Sequence, residues 1–179
     1  MPPLPEPETR PEAESPSSGL SDEAECPPPA GAAAIDVQVA DEQSKLAIQE
    51  GRVRDAVRAA LADASVEAAQ VSVALVSDET IHRVNHEYLR HDYPTDVISF
   101  TLSEPGEPLQ GEVVVSTDTA ASNAAEFGRT PVDETLLYVV HGTLHLVGYE
   151  DKEPEAAAEM RLAESRVLGA LGVTEPQPG

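Results

Sequence analysis

Apolar and polar positions alternate from Ile35 to Val39, which predicts a half-buried strand. The period then lengthens. From about 43 to 64, Leu46, Val53, Val57 and Leu61 recur at helical spacing and predict an amphipathic helix whose outer side carries Arg52, Arg54 and Arg58. Val71–Val76 predicts a second strand. Ser77-Asp78 offers a cap for a helix over about 79–89 with Ile81, Val84 and Tyr88 inward. Pro94-Thr95-Asp96 has turn chemistry and leads into a strand over Val97–Phe100, with another over Gly111–Ser116. A helix over about 117–127 precedes Gly128. Thr130-Pro131-Val-Asp133 then carries a capping residue and a proline at the first helical position. The helix it opens, to about 147, is apolar nearly all round (Val132, Leu136, Leu137, Val139, Val140, Leu144, Leu146, Val147) and is therefore predicted to be buried. A last helix spans about 154–171. The order strand, helix, strand, helix, strand, strand and three helices predicts an α+β fold.

Composition adds boundaries. Of 179 residues, 40% are apolar, enough for one ordinary domain, expected over 34–172. Residues 1–33 are rich in Pro, Glu, Ser and Ala and predict a disordered acidic tail, while 173–179 predict a frayed end. The single Cys26 lies in that tail, so no internal disulfide forms, which fits a reducing cytoplasm. No basic-then-apolar pattern marks a signal peptide, and no run approaches the roughly 18 apolar residues of a membrane helix. The formal charge is −22, and setting both tails aside leaves about −15 on the domain itself. Such a domain repels phosphate backbones at long range.

The densest chemistry is His141-Gly-Thr-Leu-His-Leu-Val-Gly-Tyr-Glu-Asp151. Two histidines four apart project from one face of a helix. Gly148 can end that helix in a left-handed turn, and the returning chain can bring Asp151 to both rings. Imidazoles on a buried helix need partners. Two imidazoles and a carboxylate leave a position open for water, as catalytic zinc sites do. The same donors also make the facial triad of non-haem iron. His82 and His86 form another pair, on a polar flank with no acid or cysteine following at a returning distance, and are read as solvated. The spacing His141, His145, Gly148, Asp151 is that of the metzincin peptidases, but their general-base glutamate is replaced by Gly142, which argues against proteolysis.

His141-Gly-x-Leu-His-Leu-x-Gly-Tyr149 resembles the signature of the YbeY family, bacterial rRNA-maturation metalloendoribonucleases. Pro94-Thr-Asp-Val-Ile-Ser-Phe100 resembles that family's Pro-Thr-Asp-Val-Leu-Ser-Phe, and Gly111-Glu-Val-Val-Val115 its Gly-Asp-Ile-Val-Ile edge strand. Met160 and Glu164 match Met-x-x-x-Glu, so the likeness covers about 35–172. It implies a mixed four-stranded sheet packed with five to six helices, and a metal site on a buried helix. His141, His145 and Asp151 would hold one Zn2+ per chain. The family has Asp-His where this chain has Glu150-Asp151, so the third imidazole becomes a carboxylate, which removes a positive charge and hardens the site. Glu150 is read as a general base or as a partner that orients an imidazole. Asp96 is read as a turn carboxylate or an active-site one. The family's Asn-x-x-Tyr-Arg appears as Asn85-His-Glu-Tyr-Leu89, with the arginine one place later at Arg90, about 100° further round a helix. Arg90 is the candidate catalytic cation, and Arg52, Arg54 and Arg58 are candidate RNA contacts. The implied function is zinc-dependent, single-strand-specific endoribonuclease activity in 16S rRNA 3′-end maturation and ribosome quality control. Its partners would be rRNA in ribosomal particles, small-subunit ribosomal proteins and an assembly GTPase, with no membrane. The alternatives are a metal-stabilised ribosome-assembly factor with little nuclease activity, or a non-nuclease metallohydrolase.

Overall fold

The computed structural model describes residues 35–173. The expected tail over 1–33, with Cys26, and nearly all of the expected frayed end lie outside the described residues. Strands β1 (Ile35–Asp41), β2 (Ala69–Val76), β3 (Val97–Thr101) and β4 (Leu109–Ser116) form one sheet in the order β1-β2-β4-β3. β1, β2 and β4 run parallel, and β3 pairs antiparallel with β4. Five α-helices accompany it among the described residues: α1 (Glu50–Asp63), α2 (Asp78–Val84), α3 (Thr117–Phe127), α4 (Pro131–Leu146) and α5 (Pro154–Ala170). The fold is α+β with a mixed four-stranded sheet, as expected.

Strand alternation divides the apolar residues between two layers. Val37, Val71, Val73, Leu75, Val113 and Val115 join α1, α4 and α5 in the main core. Val76, Ile98 and Val114, from the other face, meet Ile81 of α2. α4 is the helix most enclosed, with Leu136, Val139, Val140 and Leu144 nearly inaccessible. Burying each such side chain contributes about 1.5–3 kcal/mol, so this helix is anchored by packing along its length. Its start is also fixed locally, because the Thr130 hydroxyl accepts from the Asp133 amide at 3.1 Å and Pro131 sits at the first position.

Three expectations are corrected. Gly111–Ser116 is not an edge strand. β4 lies between β2 and β3, and Val113-Val114-Val115 is the unbroken apolar run of a strand covered on both faces. The helix predicted from 43 starts only at Glu50, since the Gln43 carboxamide oxygen already accepts from the amides of Lys45 (2.9 Å) and Leu46 (2.7 Å) in a local turn. Tyr88 is not inward. After α2 the backbone widens into a π turn over Asn85–Leu89, which rotates Tyr88 off the buried face and leaves it 65% exposed. Arg90 closes that turn in the left-handed region, with φ 57°.

Candidate metal centre

α4 lies directly against the sheet at Gly142. A Cβ there would lie 2.6 Å from Val113 Cγ1, 2.8 Å from Val97 Cγ2 and 3.0 Å from Ser99 Oγ. No side chain fits, so the glutamate that peptidases carry at this place is excluded by packing as well as by sequence. The Ser99 hydroxyl donates to the Gly142 carbonyl at 2.8 Å and ties the helix to β3 at this level. His141 and His145 leave α4 on either side of this contact. The helix ends where Gly148 takes φ 100°, with Tyr149 N–H donating to Leu144 O at 3.0 Å and Gly148 N–H to His145 O at 3.1 Å. This is a Schellman ending, which reverses the chain.

The reversal has two consequences for the rings. It turns the Tyr149 carbonyl back to accept from His145 Nδ1 at 2.9 Å, and it returns Asp151 to the helix. His141 Nδ1 donates to Glu164 Oε1 on α5 at 2.6 Å. Because both partners accept, each Nδ1 carries a proton, which leaves each Nε2 as the ring nitrogen that can offer a lone pair to a metal. The two Nε2 atoms face each other at 3.0 Å, and Asp151 Oδ2 lies 3.6 and 3.7 Å from them. A point equidistant from the three atoms is about 2.0 Å from each, the length of a bond from zinc to nitrogen or oxygen. Opposed lone pairs beside a carboxylate call for a cation between them. His141, His145 and Asp151 are the one such group of three among the described residues, and the donors therefore fit a metal.

The surrounding field has the same sign. Burial works against a charged His141, but the Glu164, Asp96 and Asp151 carboxylates outweigh it and hold that imidazole above its ordinary value. Tyr138 forms a neutral wall: burial pushes its phenol up, and its oxygen accepts from Asn123 Nδ2 at 2.7 Å. Two depressions meet at Asp151. One, about 280 Å³, is lined by Asp96, Tyr138, His141, Arg161 and Glu164 among others. The other is a groove of about 420 Å³ that includes His145, Glu150 and Lys152 together with His91, Tyr93 and Thr95.

The structure thus brings His141, His145 and Asp151 together and sets Glu150 beside them in the groove. Asp96 serves its turn, accepting from the Val97 amide at 2.9 Å and from Thr95 Oγ1 at 3.0 Å, and also lines the smaller depression. Arg90 lies elsewhere, in a hollow with Arg83, His86 and Glu87, while Leu89 lines the groove. Arg52, Arg54 and Arg58 stay on α1, each beside a carboxylate (Asp133 at 3.5 Å, Glu50 at 2.8 Å, Asp55 at 3.9 Å), and line neither depression. An acid does return to the second histidine pair: Asp92, ten residues after His82, sits 2.9 Å from its Nε2. The chain reverses there through the π turn, which the helical pattern did not reveal. Among the described residues, no third ligand joins His82 and Asp92.

Nothing in the sequence singles out Lys152 or Arg161, because isolated cations in an acidic chain carry no pattern. Glu164 was visible only as a motif match, since its contact with His141 spans 23 residues.

Comparison with known proteins identifies a family. The family described as Endoribonuclease YbeY matches residues 38–172. A curated Endoribonuclease YbeY from Rhodopirellula baltica is 47% identical over 124 residues, covering 66% of this chain and 64% of the relative. One from Pelotomaculum thermopropionicum is 39% identical over 150 residues, covering 77% of this chain and 98% of the relative. A solution structure of a Thermotoga maritima protein aligns with TM-score 0.55 at 28% identity, covering 82% of this chain and 99% of that one. With a family match over most of its length and a sheet, helix and donor set to go with it, this chain belongs to the YbeY endoribonuclease family.

Proposed function

We propose that this chain is a zinc-dependent, single-strand-specific endoribonuclease that acts in the cytoplasm on 16S rRNA 3′-end maturation and ribosome quality control. The observation that carries the reading is the convergence of His141 Nε2, His145 Nε2 and Asp151 Oδ2 within 3.0–3.7 Å, with both opposite ring nitrogens already engaged. A zinc ion held there supplies a Lewis acid and lowers the pKa of water. The protein supplies the rest. Glu164 and the Tyr149 carbonyl fix the two tautomers and ring planes, a role whose loss typically costs 10–100-fold in metal affinity. That leaves Glu150, a groove carboxylate engaged with neither ring, to accept a proton from the attacking hydroxyl. Lys152 and Arg161 line the two depressions and are placed to offset phosphate charge. Arg90 lines neither, so a catalytic role for it requires movement of the turn that it closes.

That same placement of Arg90 favours one second reading, a ribosome-assembly factor with little nuclease activity. Incubating zinc-loaded protein with rRNA, free and in ribosomal particles, separates the two. Cleavage abolished by Glu150→Gln with zinc retained supports the enzyme. Binding to particles without cleavage supports the assembly factor.

A further inference from the structure

The loop after the π turn is built more rigidly than a connecting loop requires. Asn85 is only 1% exposed and donates from Nδ2 to the Tyr93 carbonyl at 2.7 Å. His91 N–H donates back to Asn85 O at 3.3 Å, Asp92 is held by His82 at 2.9 Å, and Pro94 sets the exit. Within this loop the His91 and Tyr93 rings lie in a near-parallel stack, centroids 5.3 Å apart and planes 12° apart, with the Tyr93 hydroxyl 3.3 Å from His91 Nδ1, while Tyr93 stays 55% exposed. The pair lines the same groove as His145, Asp151 and Lys152. An exposed, pre-ordered aromatic pair gains nothing from solvent, but it offers a π face at no further ordering cost. Lys152 has no carboxylate partner among the described residues, in a domain that carries about −15.

We infer that this groove seats a single-stranded RNA segment, with a nucleobase stacked on the His91–Tyr93 pair and the neighbouring phosphate on Lys152. The inference rests on the proposed ribonuclease reading and adds to it the residues that select the substrate. Stacking on side chains accepts any base, because every base has a π face. It accepts only a base free of a duplex, since a paired base has both faces occupied by neighbours. Single-strand selection then follows from the platform rather than from the metal centre.

The test uses zinc-loaded full chain and a short single-stranded RNA, intact or with one abasic nucleotide placed at successive positions. Tyr93→Ala is expected to raise KM about 5- to 150-fold, the range for loss of one stacked base, with kcat changed far less and zinc content unchanged. Tyr93→Phe should restore KM, since it keeps the ring. At one position the abasic nucleotide should cost the wild type a similar factor and cost Tyr93→Ala nothing further. Lys152→Gln should weaken all sequences alike and make the salt slope shallower by about 0.7, one single-strand phosphate contact. A cleaving wild type that is indifferent to every abasic position, or a Tyr93→Ala enzyme with normal KM, overturns the seat alone. A zinc-loaded wild type that neither binds nor cleaves RNA overturns the seat together with the reading beneath it.

Discussion

Gly142→Ala tests whether α4 is held against the sheet by contact at one residue. The new Cβ would meet Val113 Cγ1 at 2.6 Å and Val97 Cγ2 at 2.8 Å, where carbon pairs prefer about 3.5–4.0 Å. Neither valine can give way cheaply. Both are β-branched and stiff at χ1, and Val113 is wholly buried in an interior strand. The helix must therefore lift. Overpacking of this kind costs about 1–3 kcal/mol, while alanine in a helix interior returns about 1 kcal/mol. Because neither valine yields, the overpacking cost falls in the upper half of that range, about 2–3 kcal/mol, and the expected net loss is about 1–2 kcal/mol, read as a lower urea midpoint at unchanged slope in chelator-treated protein. Because His141 and His145 flank residue 142 on the same helix, zinc affinity measured against a competing chelator should fall as well. Gly111→Ala is the control. Its Cβ would meet only the outer part of the Leu146 side chain, the two methyls at 2.7 and 2.8 Å and Cγ at 3.2 Å, and that side chain can rotate away, so the loss should be smaller. A Gly142→Ala protein as stable as wild type, or more so, would refute the account of close approach.

Purified protein is expected to hold about one zinc per chain; His145→Ala should lose it, and stoichiometric metal in a His141→Ala, His145→Ala double variant would eliminate the site. Asp151→His should keep the metal and Asp151→Ala should weaken it, with unchanged affinity in the latter showing that the third ligand lies elsewhere. Glu164→Gln should lower zinc affinity about 10–100-fold by removing the acceptor that sets His141, as chelator competition would read. Affinity for free RNA should be weak with a salt slope no steeper than about −3, and cleavage should improve with ribosomal particles; tight binding with a steep slope would contradict the local-groove picture. Hydrogen bonds from Arg166 and Lys45 hold Asp63 and Asp118 below the ordinary carboxylate value. Their contribution to stability is present above the unfolded value and lost as pH falls through the lowered folded ones. Arg166→Ala should therefore flatten the acid side of the stability profile slightly, and less at high salt.

What the sequence determined by itself was local. Hydrophobic patterning located β1, β2, α1, α2 and α4, motif resemblance supplied β3 and β4, and cap chemistry at Ser77 and Thr130 marked two starts that the structure keeps. The His141–His145 spacing, the turn at Gly148 and the return to Asp151 were readable because the three donors lie within one short, self-contained reversal. The tertiary structure decided whatever depends on partners distant in the chain. The neighbours of β4 were settled by parallel pairing with β2, and the need for glycine at 142 by two valines on the sheet. The acceptor for His141 comes from α5, and the exposure of Tyr88 from a π turn whose extra residue leaves no mark in the hydrophobic pattern. Arg90 shows why the difference matters. On a regular helix it stands one place from Leu89, but in the turn that the chain adopts the two residues face different hollows.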